Sequence, residues 1–299
     1  MLPRFPEFKP VTIEDRDPIS SKLGEYQPET SELTFTNMFV WRLHYGFQWS
    51  MHENWLLVIG GNGKGVQALP PIGPPSRAEV TRMLLRWMEE ERGIAQPGID
   101  RADGRLVAEL EGSGAFVFEP VREHFDYVYR TEELIRLAGG PYRAKRNNLN
   151  YLLRSFRIVY EPVTESSVEA CLGLAENWCT LRRCEEDLNL LGEWDAIREA
   201  LNHFGRLETE GGAILINGRL EAFALGERLN QETAVVHIEK ANMEIRGLYA
   251  AINQQFCEKQ WGDMPFINRE QDLGEPGLRE AKLSYNPDHL VEKFRIRLK

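Results

Sequence analysis

Apolar positions along the chain change period several times, and each change marks an element. Residues 13–25 are mostly polar and carry Pro18, which predicts a short first helix broken at the proline. Phe35, Met38, Phe39 and Trp41 recur at helical spacing and predict a second helix. Three short apolar runs follow, at 47–51, 55–59 and 65–69, and read as strands, with Asn62-Gly63 as a hairpin turn between the last two. Ser76 then stands where it would cap a helix reaching about residue 92, with Val80, Leu84, Trp87 and Met88 on one face. Runs at 106–109, 115–118 and 125–129 read as the strands that close the first half.

The second half is easier to follow. Thr131 ahead of Glu132 and Glu133 reads as an N-cap, and Gly139-Gly140 as the stop. A helix over 143–155 comes next, then a strand at 156–162 and helices at 166–181 and 193–207. Strands at 211–216 and 219–229 meet at the Asn217-Gly218 turn, and a third runs over 232–241. A helix over 245–260, a short strand at 266–268, a helix at 274–283 and a last strand at 290–297 complete the chain. A meander followed by a strand–helix–strand crossover is an α+β arrangement with mixed, mostly antiparallel sheets flanked by helices. The first half repeats the same gross order. With 299 residues and ~100–200 per domain, two similar units are expected, residues 1–130 and 131–299, with the site in the second.

Charge changes this picture in one place. The chain carries 36 Lys and Arg against 46 Asp and Glu, a net charge of −10, which excludes a uniformly basic nucleic-acid binder. Yet residues 142–157 hold Arg143, Lys145, Arg146, Arg154 and Arg157 with no acid between them. Arg143, Arg146 and Asn150 fall on one helical face, and this face could hold the phosphates of a tRNA acceptor end, a nucleotide donor or an anionic lipid. The plain alternative is a solvated helix facing the acidic patch Glu185-Glu186-Asp187. The polar loop after residue 268 offers Asn268, Glu270 and Asp272 as acceptors for a substrate ammonium, or Asp272 as the cap of the next helix. Lys282, Tyr285 and Asn286 form a third group, a lysine able to neutralise a phosphate or carboxylate beside an aromatic and an Asn-Pro turn.

Other chemistry is thin. The four cysteines lack a CxxC pair or a nearby His at ligand spacing, and read as free thiols of a reducing compartment. No P-loop, GxGxxG after a strand, HExxH or GxSxG occurs, and no metal site is indicated. His237 sits in an apolar strand and reads as a satisfied core histidine. The first residues lack an apolar signal segment, and the longest strongly apolar run, 55–59, is far short of a membrane span, so a cytoplasmic protein is expected.

The element order resembles that of GNAT-type acyltransferases, in tandem. Lys145-Arg146-Asn147-Asn148-Leu149-Asn150, followed by Arg157-Ile158-Val159-Tyr160-Glu161-Pro162, resembles the basic helix and strand that open the second GNAT unit in two related groups. These are the C-terminal domain of phosphatidylglycerol lysyltransferases and the peptidoglycan-bridge aminoacyltransferases. Lys282-Leu283-Ser284-Tyr285-Asn286-Pro287 is similar to the lysine, aromatic and proline element near the end of the lysyltransferase domain. His237 to Asn242, through Gly247-Leu248-Tyr249, occupies the strand-to-helix junction where that family keeps an Asp followed closely by an Arg. Here the acid is Glu239, followed by Lys240, Ala241 and Asn242, with Arg246 as the stand-in for the arginine.

The resemblance implies an acyl- or aminoacyltransferase that moves an activated group, from aminoacyl-tRNA or from acyl-CoA, onto an amine or hydroxyl acceptor such as a lipid head group. Glu239 would be the base or ammonium binder. Arg143, Lys145, Arg146 and Lys282 would contact phosphates, with Asn150, Arg246, Asn268, Glu270, Asp272, Tyr285 and Asn286 lining the substrate. A GNAT enzyme that uses coenzyme A would carry a glycine-rich loop where this chain has a single glycine, Gly247. A GNAT-fold binding module without catalysis is the rival reading, and contact of the basic helix with a membrane surface a further expectation.

Overall fold

The computed structural model describes residues 2–61, 65–184 and 188–299. The expected turn at Asn62-Gly63 and the acidic patch Glu185-Glu186-Asp187 therefore lie outside the described residues. The chain divides into two compact units, each built on a seven-stranded sheet.

The first unit takes residues up to Asp126, with Gln271–Gly274 and Val291–Lys299. It opens with β1 (Lys9–Pro10), α1 (Arg16–Tyr26), α2 (Phe35–Val40) and α3 (Arg42–Tyr45). Strands β2 (Gln48–His52), β3 (Trp55–Gly60) and β4 (Gln67–Ala68) precede α4 (Ala78–Glu90), β5 (Ile99–Ala102), α5 (Gly104–Glu111) and β6 (Phe116–Pro120). The second unit takes Tyr127–Glu270 and Glu275–Leu290. Its elements are β7 (Asp126–Arg130), α6 (Thr131–Arg136), α7 (Arg143–Ser155), β8 (Ile158–Pro162), α8 (Val168–Arg182), α9 (Leu188–Asn202) and α10 (Phe204–Leu207). Then come β9 (Glu210–Ile216), β10 (Arg219–Arg228), β11 (Thr233–Ala241), α11 (Leu248–Gln260), β12 (Phe266–Asn268), α12 (Pro276–Leu283) and β13 (His289–Val291). The last strand, β14 (Phe294–Leu298), returns to the first sheet.

The two sheets share one plan. In the first, β1 to β4 form an antiparallel meander, β4 pairs parallel with β5, and β14 and β6 follow. In the second, β8 to β11 form the meander, β11 pairs parallel with β12, and β7 and β13 follow. In each sheet, the strand beyond the parallel step comes from a distant part of the chain. The run at 125–129, expected to close the first sheet, is β7 of the second, and the final strand lies between β5 and β6. A strand's hydrophobic period records that it is a strand, and leaves its partner unspecified.

Several local expectations change for identifiable reasons. Pro18 stands in the first turn of α1, where its missing N–H is one of the unpaired donors anyway, so it opens the helix. Residues 106–109 belong to α5, because the Asp103 side chain accepts the Leu106 N–H at 3.0 Å and starts a helix there. Ser76 has φ 71° and gives no cap; the Glu109 carboxylate takes the Arg77 N–H at 2.8 Å instead. Thr131 is the first residue of α6, after Arg130 in the cap position. Cys179 and Cys184, read as free thiols, form a disulfide at the end of α8.

Each unit has its own core. In the first, Val80, Leu84 and Met88 of α4 pack with Leu57, Ile99, Leu106 and Ile296. In the second, Leu149 and Leu152 of α7, and Leu248, Ile252 and Phe256 of α11, cover Ile214, Ala224, Val236 and Ile267 of the sheet.

Candidate functional site

The register between β11 and β12 places the site. The two strands pair in parallel from Thr233↔Phe266 to Val235↔Asn268, where β12 ends, while β11 runs on to Ala241. The remaining residues of β11 therefore run on beyond the end of β12, at the strand C-termini, where parallel sheets carry their ligands. Within that stretch β11 bulges. Leu225 pairs with Ile238 and Gly226 with Val236, leaving His237 as the extra residue.

Glu239 pairs with Ala224 on the core face of β11. Its carboxylate accepts hydrogen bonds from Arg269 Nη2, at 3.1 and 3.2 Å, and from Asn253 Nδ2 of α11 at 3.2 Å. Both charged side chains of that pair are 13% exposed. Burial works against the Arg269 charge, but the adjacent Glu239 more than offsets it and pushes the guanidinium pKa up. The guanidinium also lies over the Tyr285 ring, 4.8 Å from its centre. Lys145 of α7 lies over the same ring at 4.0 Å. Burial, then the Arg269 charge, pulls the Lys145 pKa down, against the opposing pull of Glu239. Burial raises the Tyr285 pKa despite the Arg269 charge, so at neutral pH its hydroxyl keeps its proton. Lys282 of α12 donates to the Arg269 carbonyl at 2.5 Å, and its own carbonyl accepts from the Tyr129 hydroxyl at 2.8 Å.

The expected residues thus separate. Glu239, Lys145, Lys282 and Tyr285 come together around Arg269. Glu270 stands beside this group, bonded to His237 Nδ1 at 2.8 Å, while Glu227 takes His237 Nε2 at 2.9 Å. Asn268 is fully buried and accepts the Glu270 N–H at 2.8 Å, which shapes the turn. The other expected residues lie apart from this group. Arg246 bonds Asn148 Oδ1 at 3.0 Å and covers the Tyr151 ring, so the partner of Glu239 is Arg269. Arg146 donates to the carbonyls of Leu137 and Gly139 and secures the end of α6. Arg143 and Asn150 are exposed on a different side of α7 from Lys145, because only the face of Lys145, Leu149 and Leu152 turns inward. Asp272 belongs to the first unit, where it accepts the Gly274 N–H at 2.9 Å and faces Arg122 at 3.3 Å. Asn286, with φ 51°, turns the chain after α12.

Sequence reasoning passed over Arg269, Asn253 and Tyr129. The signal for Arg269 was present, a cation directly after the short strand of a strand–helix–strand unit. Asn253 and Tyr129 reach the site from α11 and β7, through pairings that no local pattern announces. On the opposite face of β11, Lys240 is buried against Glu193 at 2.7 Å and lies 3.2 Å from the centre of the Trp178 ring. Burial pulls its pKa down, against the pull of Glu193. No helix among the described residues is long and apolar enough to cross a membrane.

This arrangement can be set beside known proteins. A conserved protein of unknown function from Bacteroides thetaiotaomicron is 32% identical, with a TM-score of 0.91 over all of both chains. The structure of L-PGS from Bacillus licheniformis gives a TM-score of 0.66 at 12% identity, over 95% of this chain and 91% of that one. A tandem GNAT protein from the clavulanic acid biosynthesis pathway gives 0.52 at 10% identity, over 98% of each chain. The fold is therefore the tandem GNAT arrangement that the element order implied. An uncharacterized protein of Mycoplasmoides gallisepticum is 20% identical over 177 residues, which span 58% of this chain and 56% of that relative. The family model described as phosphatidylglycerol lysyltransferase, C-terminal, matches residues 24–297. Family and fold together support an aminoacyltransferase-like function. With the match running almost end to end, the chain belongs to the phosphatidylglycerol lysyltransferase C-terminal family.

Proposed function

We propose that the second unit transfers an activated aminoacyl group, carried by a tRNA, to an amine or hydroxyl acceptor such as a lipid head group. The observation that carries this reading is the Glu239–Arg269 pair just beyond the end of the β11–β12 pairing. Acyl transfer brings a nucleophile onto an activated carbonyl. It needs a group to take the nucleophile's proton and fixed positive charge for the oxyanion that forms. Glu239 takes the proton as the new bond to carbon forms. Arg269 and Lys145 face the developing negative charge. The ester carbon–oxygen bond then breaks, and the tRNA hydroxyl leaves with a proton.

The acyl-CoA alternative draws less support. The single glycine of the junction, Gly247, has φ 91°, and a Cβ there would overlap the Asn148 carbonyl of α7. That glycine serves close packing of two helices rather than a phosphate cradle.

Incubation with charged tRNA and a cell lipid extract is expected to release deacylated tRNA and yield an aminoacylated acceptor. Glu239→Gln keeps a hydrogen-bond acceptor toward Arg269 but cannot take a proton, and is expected to slow the reaction about 100-fold. An unchanged rate in that variant would remove Glu239 from the chemistry.

A further inference from the structure

We propose that the protein pairs with a second copy of itself through β8, the outer strand of the second sheet, about a twofold axis at Val159. This pairing is independent of the transfer reading. It stands on the backbone groups that β8 leaves open and on the order of its side chains.

Among the described residues, β8 pairs only with β9 and forms one end of its sheet. The Val163 N–H bonds the Gly211 carbonyl at 2.9 Å. Hydrogen-bonded pairs alternate along an antiparallel ladder, so Val159 and Glu161 also turn their backbone groups to β9. Ile158, Tyr160 and Pro162 therefore turn theirs outward, and such an open row is a template for another strand. Antiparallel pairing of two copies about Val159 sets Ile158 opposite Tyr160 of the second copy, and Tyr160 opposite its Ile158. Both pairs then exchange N–H and C=O bonds through the groups that face outward. The next such pair would be Phe156 with Pro162. Phe156 already gives its N–H to the Leu152 carbonyl and Pro162 has none, so the pairing stops there and its register is fixed.

The side chains match in the same register. Arg157, directly ahead of β8, shares one face with Val159 and Glu161, and all are exposed, Val159 at 45%. Arg157 meets Glu161 of the second copy, Val159 meets its counterpart, and Glu161 meets Arg157. These are the non-hydrogen-bonded pairs, in which side chains come closest. On the other face, Ile158 and Tyr160 already pack against the core of the second unit, and the pairing sets each against the other. Outer strands that resist association carry like charges. Here opposite charges occupy positions that a twofold axis exchanges. The other outer strands lack this property. β1 and β13 have two and three residues, and β6 centred on Phe118 would set Glu119 against Val117.

Sedimentation velocity of the intact protein, from micromolar to millimolar concentration, reads the association. The wild type is expected to approach twice the mass of one chain. Arg157→Glu and Glu161→Arg each set like charges opposite one another and should weaken association at least about tenfold. Mixed in equal amounts, these two variants regain both ion pairs and should form a mixed dimer as tightly as the wild type pairs with itself. That recovery also shows that both variants are folded. The proposal is overturned if the wild type stays monomeric across the range. It is equally overturned if either single variant dimerises as the wild type does, or if the mixture associates no better than its components.

Discussion

His237 is held by carboxylates on both ring nitrogens, Glu270 at 2.8 Å and Glu227 at 2.9 Å, with its side chain 6% exposed. Burial alone would push the imidazolium pKa down, but the two carboxylates outweigh it and raise it to about 10. The charged ring therefore ties β10, the bulge of β11 and the turn after β12 together, one residue from Arg269. The folded-state pKa lies above the unfolded value, so this clamp stabilises fully below the unfolded pKa of about 6.5 and is lost as pH rises through about 10. His237→Gln is expected to cost about 3 kcal/mol at pH 6, because it leaves two carboxylates facing neutral donors. The difference from wild type should shrink between pH 7 and 10. Urea denaturation across that range checks both statements, and a pH-independent difference would argue that the ring is neutral. The sequence marked His237 as a satisfied histidine but could not name what satisfies it, since its partners stand 10 and 33 positions away. Glu239, Lys282 and Tyr285 were singled out by resemblance to the lysyltransferase domain, and Lys145 also by the acid-free run of cations around it. Arg269 sat inside a dense polar segment and was not.

At the scale of elements, the site depends on how closely α7 and α11 approach, since α7 supplies Lys145 and α11 supplies Asn253. Gly247 sets that approach. Its φ of 91° suits glycine, and a side chain there would collide with the Asn148 carbonyl and crowd Leu152. Gly247→Ala is expected to cost about 2–3 kcal/mol, combining an unfavourable backbone conformation with overpacking. The thermal melt of the variant reads this directly, and an unchanged midpoint would mean that the two helices are free to separate. The elements that the sequence revealed best were those with a long, unmixed period. Helix α7 spans the residues its pattern indicated, 143–155, and the β9–β10 hairpin follows its Asn-Gly turn. Helix α5 was misread as a strand because its few apolar residues fit either period, and the choice fell to one cap, Asp103 to Leu106. The bulge at His237 had no local signal, since it exists only in relation to β10.

At the scale of the whole chain, the order of strands is where sequence and structure differ most, and it has a consequence that can be measured. The final strand β14 lies inside the first sheet, hydrogen-bonded to β5 on one side and β6 on the other, with Ile296 fully buried. Just before it, the fully buried Lys293 reaches Glu32 at 2.5 Å and Asp126 at 2.6 Å. Removing residues 291–299 would therefore strip an interior strand from a sheet built some two hundred residues earlier. It would also leave two carboxylates without the ammonium that neutralises them, a change that is strongly destabilising by itself. The combined loss should exceed about 5 kcal/mol, comparable to the entire stability of many domains. Hydrogen exchange locates the damage. Amides of β5 and β6 should lose protection in the shortened chain to a much greater degree than those of β9, β10 and β11. Sequence order alone, which assigns the last strand to the second half, gives the opposite expectation, with the loss concentrated around β11 and β12. A result of that kind would return β14 to the second sheet and with it the simple division of the chain at residue 130.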